Sequence, residues 1–417
     1  MKHMSNAAFA GMCGCLVWLA LSSAQAQEVS GPNALLMNLD AIGMVPPDMR
    51  AGTSYTVSDT VWNDGLVNTY QVQTVYGPLN VESTALLYKR IAELKALQQI
   101  EELKKSKAFT DALKNAGKAP FKTAQNLIEA PVDTAKDIGS GIGRWFKDVG
   151  SSVVSRGPHQ AGTLKTALGQ APIKRQFAYR FGVDPYSSYE PLQEALEHLA
   201  WASTSGGLTI KVAFSSIEGG AGKALSVGGT AGGMKALVRD KSPAELNGII
   251  GERLDAIGVR GLIRESFLAN EQYGPQERLL LVAELAEMDG VADRNLFVNV
   301  AATAPSEMVA LYMRVQAQMM GRYAQANKIA RVIVAGSVPF LQQEDGTVVG
   351  VFPLDCVLWT PGVARKIGQI ETELAAANIS GKRKMLLLGK ADEAAVAALT
   401  KRGWEVREHL QSGLESL

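Results

Sequence analysis

A glycine-dense run with a lysine, GGAGK at 219–223, is the first segment whose residue types suggest chemistry. It follows residues 208–214, whose alternating pattern predicts a β-strand. In a phosphate loop, G-x-x-x-x-G-K-[ST], backbone N–H groups surround the phosphates and a hydroxyl binds magnesium. Here Ile217 stands at the first glycine position and Ala224 at the hydroxyl position. These departures favour a flexible or closely packed glycine segment, and we expect no cofactor.

Nucleophilic and metal chemistry also find little support in the sequence. No serine lies at the centre of a G-x-S-x-G motif. Cys356 lies among apolar residues, where an unreactive buried thiol is expected; a cysteine mechanism would pair it with His159, His198 or His409. The sequence has no H-E-x-x-H motif, and residues 289–293 lack the oxygen ligands of a calcium loop, so we predict no metal site.

Carboxylate chemistry is the enzymatic alternative that the sequence leaves open. The chain has 41 Asp and Glu residues, and a pair that converges only in the folded protein leaves no trace in residue spacing. A predicted strand–helix–strand unit near the C-terminus would place any ligand near Gly389, Lys390 and Asp392, at the carboxyl end of a strand. The competing interpretation is a purely structural subdomain.

The most sharply patterned segment of the chain is 131–154, which predicts an amphipathic helix. Its apolar residues fall within an arc about 100° wide; they are Ile138, Ile142, Trp145, Phe146, Val149 and Val153. This face either packs on the protein's own core or contacts a protein partner or the envelope surface. The segment contains four glycines, each costing about 1 kcal/mol relative to alanine, so the helix should be weak until its apolar face is buried.

Charge and the N-terminus restrict where the protein acts. Lys plus Arg (42) nearly balances Asp plus Glu (41), so no global field favours nucleic acid. Residues 118–150 carry five basic and four acidic residues, which gives little attraction to anionic head groups. Lys2, an uncharged run over 7–21 and an A-x-A site ending at Ala26 predict a signal peptide. We therefore expect a periplasmic or extracellular protein, peripheral to the envelope and without a transmembrane span in the mature chain.

Local signals for turns and helix ends predict an α+β protein that is predominantly helical. Asp64-Gly65 predicts a β-hairpin, and Ser242 with Glu245 predicts a capping box that begins a helix ending at Gly258. The order strand, helix, strand over 385–406 predicts a parallel β-α-β unit. The predicted organisation is a signal peptide (1–26), a leader and β-hairpin region (27–82), an amphipathic helical arm (83–155), a helical domain (156–328) and a small α/β domain (329–417).

These patterns lead to one functional hypothesis and one alternative. The ordered apolar face of 131–154, together with the lack of a recognisable catalytic motif, favours an exported, non-enzymatic binding or envelope-associated protein that acts through amphipathic helices. The alternative is a periplasmic or secreted hydrolase whose carboxylates converge only in three dimensions.

Overall fold

The computed structural model describes residues 37–40, 45–116, 170–215 and 230–410 of the 417-residue chain. Within these ranges the protein is a mixed α+β fold of 14 helices and two main sheets, as the sequence predicted. Among the described residues, no helix has both the length and the apolarity needed to cross a bilayer.

The N-terminal sheet has four antiparallel strands in sequential order. They are β1 (Met37–Asp40), β2 (Tyr55–Asn63), β3 (Asn68–Thr74) and β4 (Gly77–Glu82), and the short helix α1 (Pro47–Arg50) precedes β2. The predicted hairpin is confirmed between β2 and β3. Gly65 adopts φ +106°, and the Asp64 carboxylate accepts the N–H groups of Leu66 and Val67 at 2.9 Å, so the two residues of the Asp-Gly signal shape the turn.

Five helices pack with this sheet: α2 (Thr84–Lys105), α3 (Lys107–Ala116), α4 (Gln170–Phe181), α5 (Glu190–Gly206) and α6 (Ile210–Ser215). Ser83 begins α2 by accepting the N–H of Leu86. The apolar residues of α2, which include Leu87, Ile91 and Leu94, are buried between the sheet and the other helices. We call the hydrophobic residues shared by these elements the first apolar cluster.

The strand predicted over 208–214 was wrong, because this segment contains helix α6. The hydroxyl and carbonyl of Thr209 accept the N–H groups of Val212 and Ala213 and so begin the helix. Ala213 and Phe214 are buried in the first apolar cluster, whereas Val212 is 43% exposed. A run this short fits the periodicity of a strand or of a helix, and the tertiary contacts of Ala213 and Phe214 decide between the two.

The next six helices are α7 (Thr230–Asp240), α8 (Pro243–Ala256), α9 (Gly261–Ala269), α10 (Pro275–Ala286), α11 (Arg294–Ala301) and α12 (Glu307–Ala326). The capping box of α8 is confirmed: the side chains of Ser242 and Glu245 bond reciprocally to each other's backbone N–H, and Gly258 adopts φ +81° after the helix. Helix α12 is central, since all fourteen residues from Met308 to Gly321 are buried.

The C-terminal part is a five-stranded mixed sheet in the order β11-β9-β7-β6-β5. Its elements are β5 (Ile329–Ala335), β6 (Val338–Gln343), β7 (Val348–Phe352), α13 (Pro361–Ala376), β9 (Arg383–Leu387), α14 (Glu393–Lys401) and β11 (Trp404–Arg407); β8 (Cys356–Val357) pairs separately with β10 (Lys390–Ala391). Strands β9 and β11 are parallel and joined by α14, which confirms the predicted β-α-β unit. Together with α7–α12 this sheet forms a second apolar cluster.

Strand β6 was not predicted from the sequence, and Pro339 lies within it. Proline lacks an N–H group and normally interrupts an internal strand. Here β6 pairs with β7 only at Leu341 and Gln342, so the ladder between these two strands does not need an N–H at residue 339.

Contacts within the chain occupy the carboxyl end of β9 around Gly389 and Asp392, where the sequence suggested a ligand. Gly389 donates its N–H to the carbonyl of Leu354 at 2.9 Å, and Asp392 uses its carboxylate to cap α14 by accepting the N–H of Ala395. A Cβ atom at Gly389 would lie 1.9 Å from the carbonyl oxygen of Asp355. These contacts give Gly389 and Asp392 a structural role, in agreement with the interpretation of a structural subdomain.

This close approach predicts that Gly389→Ala destabilises the protein by about 2 kcal/mol or more, because two backbone segments would have to separate. Gly368→Ala is the matched control: residue 368 lies within α13 with nothing within 4 Å of its added Cβ. Alanine there should stabilise the helix by up to about 1 kcal/mol. Urea unfolding followed by circular dichroism measures both. Equal effects of the two substitutions would contradict the role given to Gly389.

Candidate functional site

The residues predicted to face a partner or a membrane lie outside the described part of the chain. This holds for Ile138, Ile142, Trp145, Phe146, Val149 and Val153, for the glycine run at 219–223 and for His159. Their roles stay predictions. In the described ranges, no group of three or more His, Cys, Asp or Glu side chains is arranged to hold a metal ion.

Cys356 lies in the short strand β8 and is only 2% exposed. Burial raises the pKa of its thiol to about 11. A catalytic cysteine needs the opposite shift, because the thiolate is the reactive species. The structure therefore agrees with the interpretation of Cys356 as an unreactive buried thiol. His198 is half-buried on α5, and burial lowers its pKa.

The described residues bring charged groups together at one place, around Lys89. Eight side chains take part, four basic and four acidic, and we call them the Lys89 cluster. They are Lys89, Arg90 and Glu93 of α2, Asp184 of the α4–α5 loop, Lys235 of α7, Glu277 of α10, and Glu307 and Arg314 of α12. The cluster thus joins four helices and one loop.

Three carboxylates converge on the ammonium group of Lys89. Its Nζ lies 3.2 Å from Glu307 Oε1, 3.5 Å from Glu277 Oε1 and 4.0 Å from Asp184 Oδ2. Burial alone would lower the pKa of Lys89, but these carboxylates outweigh it and raise the pKa. Lys89 therefore stays charged inside the protein.

A buried pair of the cluster links the central helix α12 to α10. Arg314 Nε donates to Glu277 Oε2 at 2.9 Å, and Arg314 Nη1 donates to the side-chain oxygen of Gln318 at 3.0 Å. The side chains of Arg314 and Glu277 are 5% and 9% exposed. Although burial raises the pKa of Glu277, Arg314 and Lys89 lower it below its ordinary value. The carboxylate is held ionised and is not available as an acid.

Arg90 connects the cluster to the exposed Ser188. Its guanidinium contacts Glu93 at 2.6 Å, Glu307 at 3.0 Å and the hydroxyl of Ser188 at 2.8 Å. The exposed Ser188 in turn donates its hydroxyl hydrogen to Glu307. A serine hydroxyl bonded to a carboxylate has the geometry of a nucleophile and its base.

Electrostatics do not support that role for Glu307. Burial raises its pKa, but Lys89 and Arg90 outweigh burial and lower the pKa to about 2. Efficient general bases have pKa values near the working pH, so a carboxylate this acidic accepts protons poorly. The serine–carboxylate geometry is present without the basicity that catalysis would need.

Asp184 differs from the other carboxylates of the cluster. Its Oδ1 accepts the N–H of Tyr186 at 2.9 Å, and its side chain is 3% exposed. Burial raises the pKa of Asp184 to about 6, even though Lys89 acts in the opposite direction. The protonation state of Asp184 therefore changes near pH 6, close to neutral pH.

A second polar contact joins the β2–β3 hairpin to the C-terminal sheet. The Asp355 carboxylate accepts the backbone N–H of Asn68 at 2.9 Å and that of Thr84 at 3.1 Å. Thr84 is the first residue of α2, so this carboxylate also compensates the positive end of the helix. Burial raises the pKa of Asp355 to about 6. Asp355 and the Lys89 cluster thus lie at two points where the apolar clusters meet.

Comparisons of the chain with protein-family models, with characterised proteins and with solved structures give no significant match.

No member of the Lys89 cluster was predicted as a site residue from the sequence. Its partners are far apart along the chain; Lys89 is separated from Glu277 by 188 residues and from Glu307 by 218. The sequence did hold one usable signal. Arg314, Gln316 and Gln318 interrupt an otherwise apolar run in α12, and polar residues inside a buried helix require partners.

The geometry predicts that Lys89→Met destabilises the protein by about 3 kcal/mol or more, because Glu277, Glu307 and Asp184 lose a shared counter-charge in a buried place. Lys95→Met on the exposed side of the same helix is the control and should change stability by less than about 0.5 kcal/mol. Chemical unfolding at neutral pH gives both values. A loss at Lys89 no larger than that at Lys95 would show that the cluster contributes no stability.

Proposed function

We propose that the protein is an exported, non-enzymatic binding protein that associates with a protein partner or the envelope surface through amphipathic helices. Its contact face consists of Ile138, Ile142, Trp145, Phe146, Val149 and Val153. The described α+β fold serves as the scaffold that carries this segment.

The observation that carries the proposal is the charge compensation of the Lys89 cluster. Four basic side chains balance four acidic ones, and the two carboxylates nearest Lys89 also contact Arg314 or Arg90. Groups arranged in this way stabilise a fold, and Glu277 and Glu307, whose pKa values are lowered by these cations, are held ionised and are poor general acids and bases. This disfavours a catalytic site at the place where the described acidic groups converge, and so supports a binding role for the protein.

The segment 131–154 supplies the second argument. Trp145 and Phe146 lie midway along the segment, one at each edge of its apolar arc, and aromatic residues dominate contact energies at interfaces. The near balance of charge over 118–150 disfavours purely electrostatic attachment to anionic lipid. The apolar face is therefore the part of the segment that would bind.

A hydrolase remains the alternative, and one observation favours it. Asp184 Oδ2 and Glu277 Oε1 both lie within 4.0 Å of Lys89 Nζ, so they are no further apart than glycosidase carboxylates, which are separated by about 5 to 9.5 Å. Asp184, whose pKa is raised to about 6, would be the general acid or base. Hydrolysis of chromogenic glycosides or esters that Asp184→Asn abolishes would establish this alternative.

The binding proposal predicts that Trp145→Ser combined with Phe146→Ser lowers association with the envelope fraction of producing cells at least tenfold, since two aromatic anchors contribute several kcal/mol. Co-sedimentation with envelopes measures the effect. Envelopes treated with protease and lipid vesicles of neutral composition distinguish a protein partner from a lipid surface.

Asp137→Ser combined with Lys147→Ser is the matched control, because it changes the polar side of the same segment and conserves net charge. It should leave association unchanged. If the aromatic double variant binds as the wild type does and is equally stable, the proposal is wrong. If it loses solubility or folding instead, the face packs on the protein's own core.

Export predicts a defined N-terminus for the mature protein. Cleavage after Ala26 would leave Gln27 as the first residue. N-terminal sequencing of protein recovered from the periplasm or the medium tests this, and Ala26→Arg should block processing because cleavage requires a small residue at that position. Recovery of an uncleaved chain in the cytoplasm would contradict export.

A further inference from the structure

The first and second apolar clusters meet across charged groups as well as apolar ones. Helix α2 takes part in both, since Ala85 belongs to the second cluster and Leu87 and Ile91 to the first. On the same helix, Lys89 and Arg90 contact Glu277 of α10 and Glu307 of α12. Charged groups therefore contribute to the contact between the two clusters.

We propose that the Lys89 cluster is a proton-controlled joint, in which protonation of Asp184 tightens the contact of α2 and the 184–188 loop with α10 and α12. This inference goes beyond the proposed function, because it concerns the charge state of the Lys89 cluster, and its test does not involve the segment 131–154.

Lys89 is a counter-charge that three carboxylates share. Glu307 and Glu277 are nearer to its Nζ, at 3.2 and 3.5 Å, than Asp184 is, at 4.0 Å. A distance of 4.0 Å is too long for a direct hydrogen bond. When Asp184 is ionised, three negative charges thus share one ammonium group, and the third carboxylate is compensated least.

The other groups that face Asp184 act in both directions. Glu277 of α10 and Glu93 of α2 disfavour its ionised form, whereas Lys89 of α2, Lys235 of α7 and the N–H of Tyr186 favour it. Asp184 is 3% exposed, so water compensates its charge only weakly. Burial and the two carboxylates together favour the neutral acid.

The sign of the pH effect follows from the raised pKa. The pKa of Asp184 is about 6 in the folded protein, against about 3.9 in an unfolded chain. The stability it contributes is fully present below about pH 4 and is lost as the pH rises through about 6. Glu307, with its pKa lowered to about 2, acts oppositely, but only in more acidic solution. Asp355 and Glu284, both with a pKa of about 6, act in the same direction as Asp184, so a variant has to isolate its part.

Asp184→Asn provides that variant, because the amide oxygen can still accept the N–H of Tyr186 while the charge is removed. Urea unfolding is measured at pH 5.0 and pH 7.5 for the full mature chain. From pH 5.0 to 7.5, the folding equilibrium constant of the wild type should fall about tenfold relative to that of Asp184→Asn. Asp289→Asn, at an exposed turn, is the control, and its folding equilibrium constant should change between the two pH values as that of the wild type does.

Hydrogen exchange of the wild type tests the joint even if the variant does not fold. Protection factors, which are corrected for the intrinsic pH dependence of exchange, should fall from pH 5.0 to 7.5 in α2 and α12 more than in α14, which packs beside β11 in the C-terminal sheet. The proposal would be overturned if the folding equilibrium constant of the wild type, divided by that of Asp184→Asn, stayed constant or rose with pH. Equal changes of protection in all three helices would also overturn it.

Discussion

Compensation of charge around Lys89 is the constraint on which the arrangement of the helices depends. Removing a charge from water costs several kcal/mol, and a buried pair offsets this only when its geometry is good. Here α2, α7, α10, α12 and the 184–188 loop each contribute at least one charged group. These groups compensate one another only when all of the segments are in place, so the cluster fixes the positions of distant segments relative to one another.

The apolar clusters and the polar contacts have different tasks. Hydrophobic burial stabilises without direction, whereas charge-assisted hydrogen bonds fix the relative orientation of the groups that form them. Helix α12 shows both effects, because its buried surface packs on α10 and β7 while Arg314 donates to Glu277 and Gln316 donates to the carbonyl of Val351. Asp355 has the same orienting effect on the β2–β3 hairpin through Asn68 and Thr84.

This division of tasks bears on function. The carboxylates that converge in the described part of the chain are engaged with cations or backbone N–H groups, and the Ser188–Glu307 pair lacks a basic carboxylate. These acidic residues therefore have a structural role, because they connect different segments of the fold. The proposed binding face at 131–154 belongs to a different class of feature, since it is defined by an apolar arc and needs no catalytic group.

The sequence alone determined the turns, helix ends and short units that depend on interactions between residues close together in the chain. The Asp64-Gly65 turn, the capping box of Ser242 and Glu245, and the β9–α14–β11 unit each depend on residues close together in the chain, and each formed as predicted. Tertiary structure decided the rest. Phe214 is buried in a helix where an alternating pattern suggested a strand, and Pro339 fits an internal strand because β7 does not pair with it there. The Lys89 cluster is the clearest case, because electrostatic partners 188 and 218 residues apart are selected by packing and not by spacing.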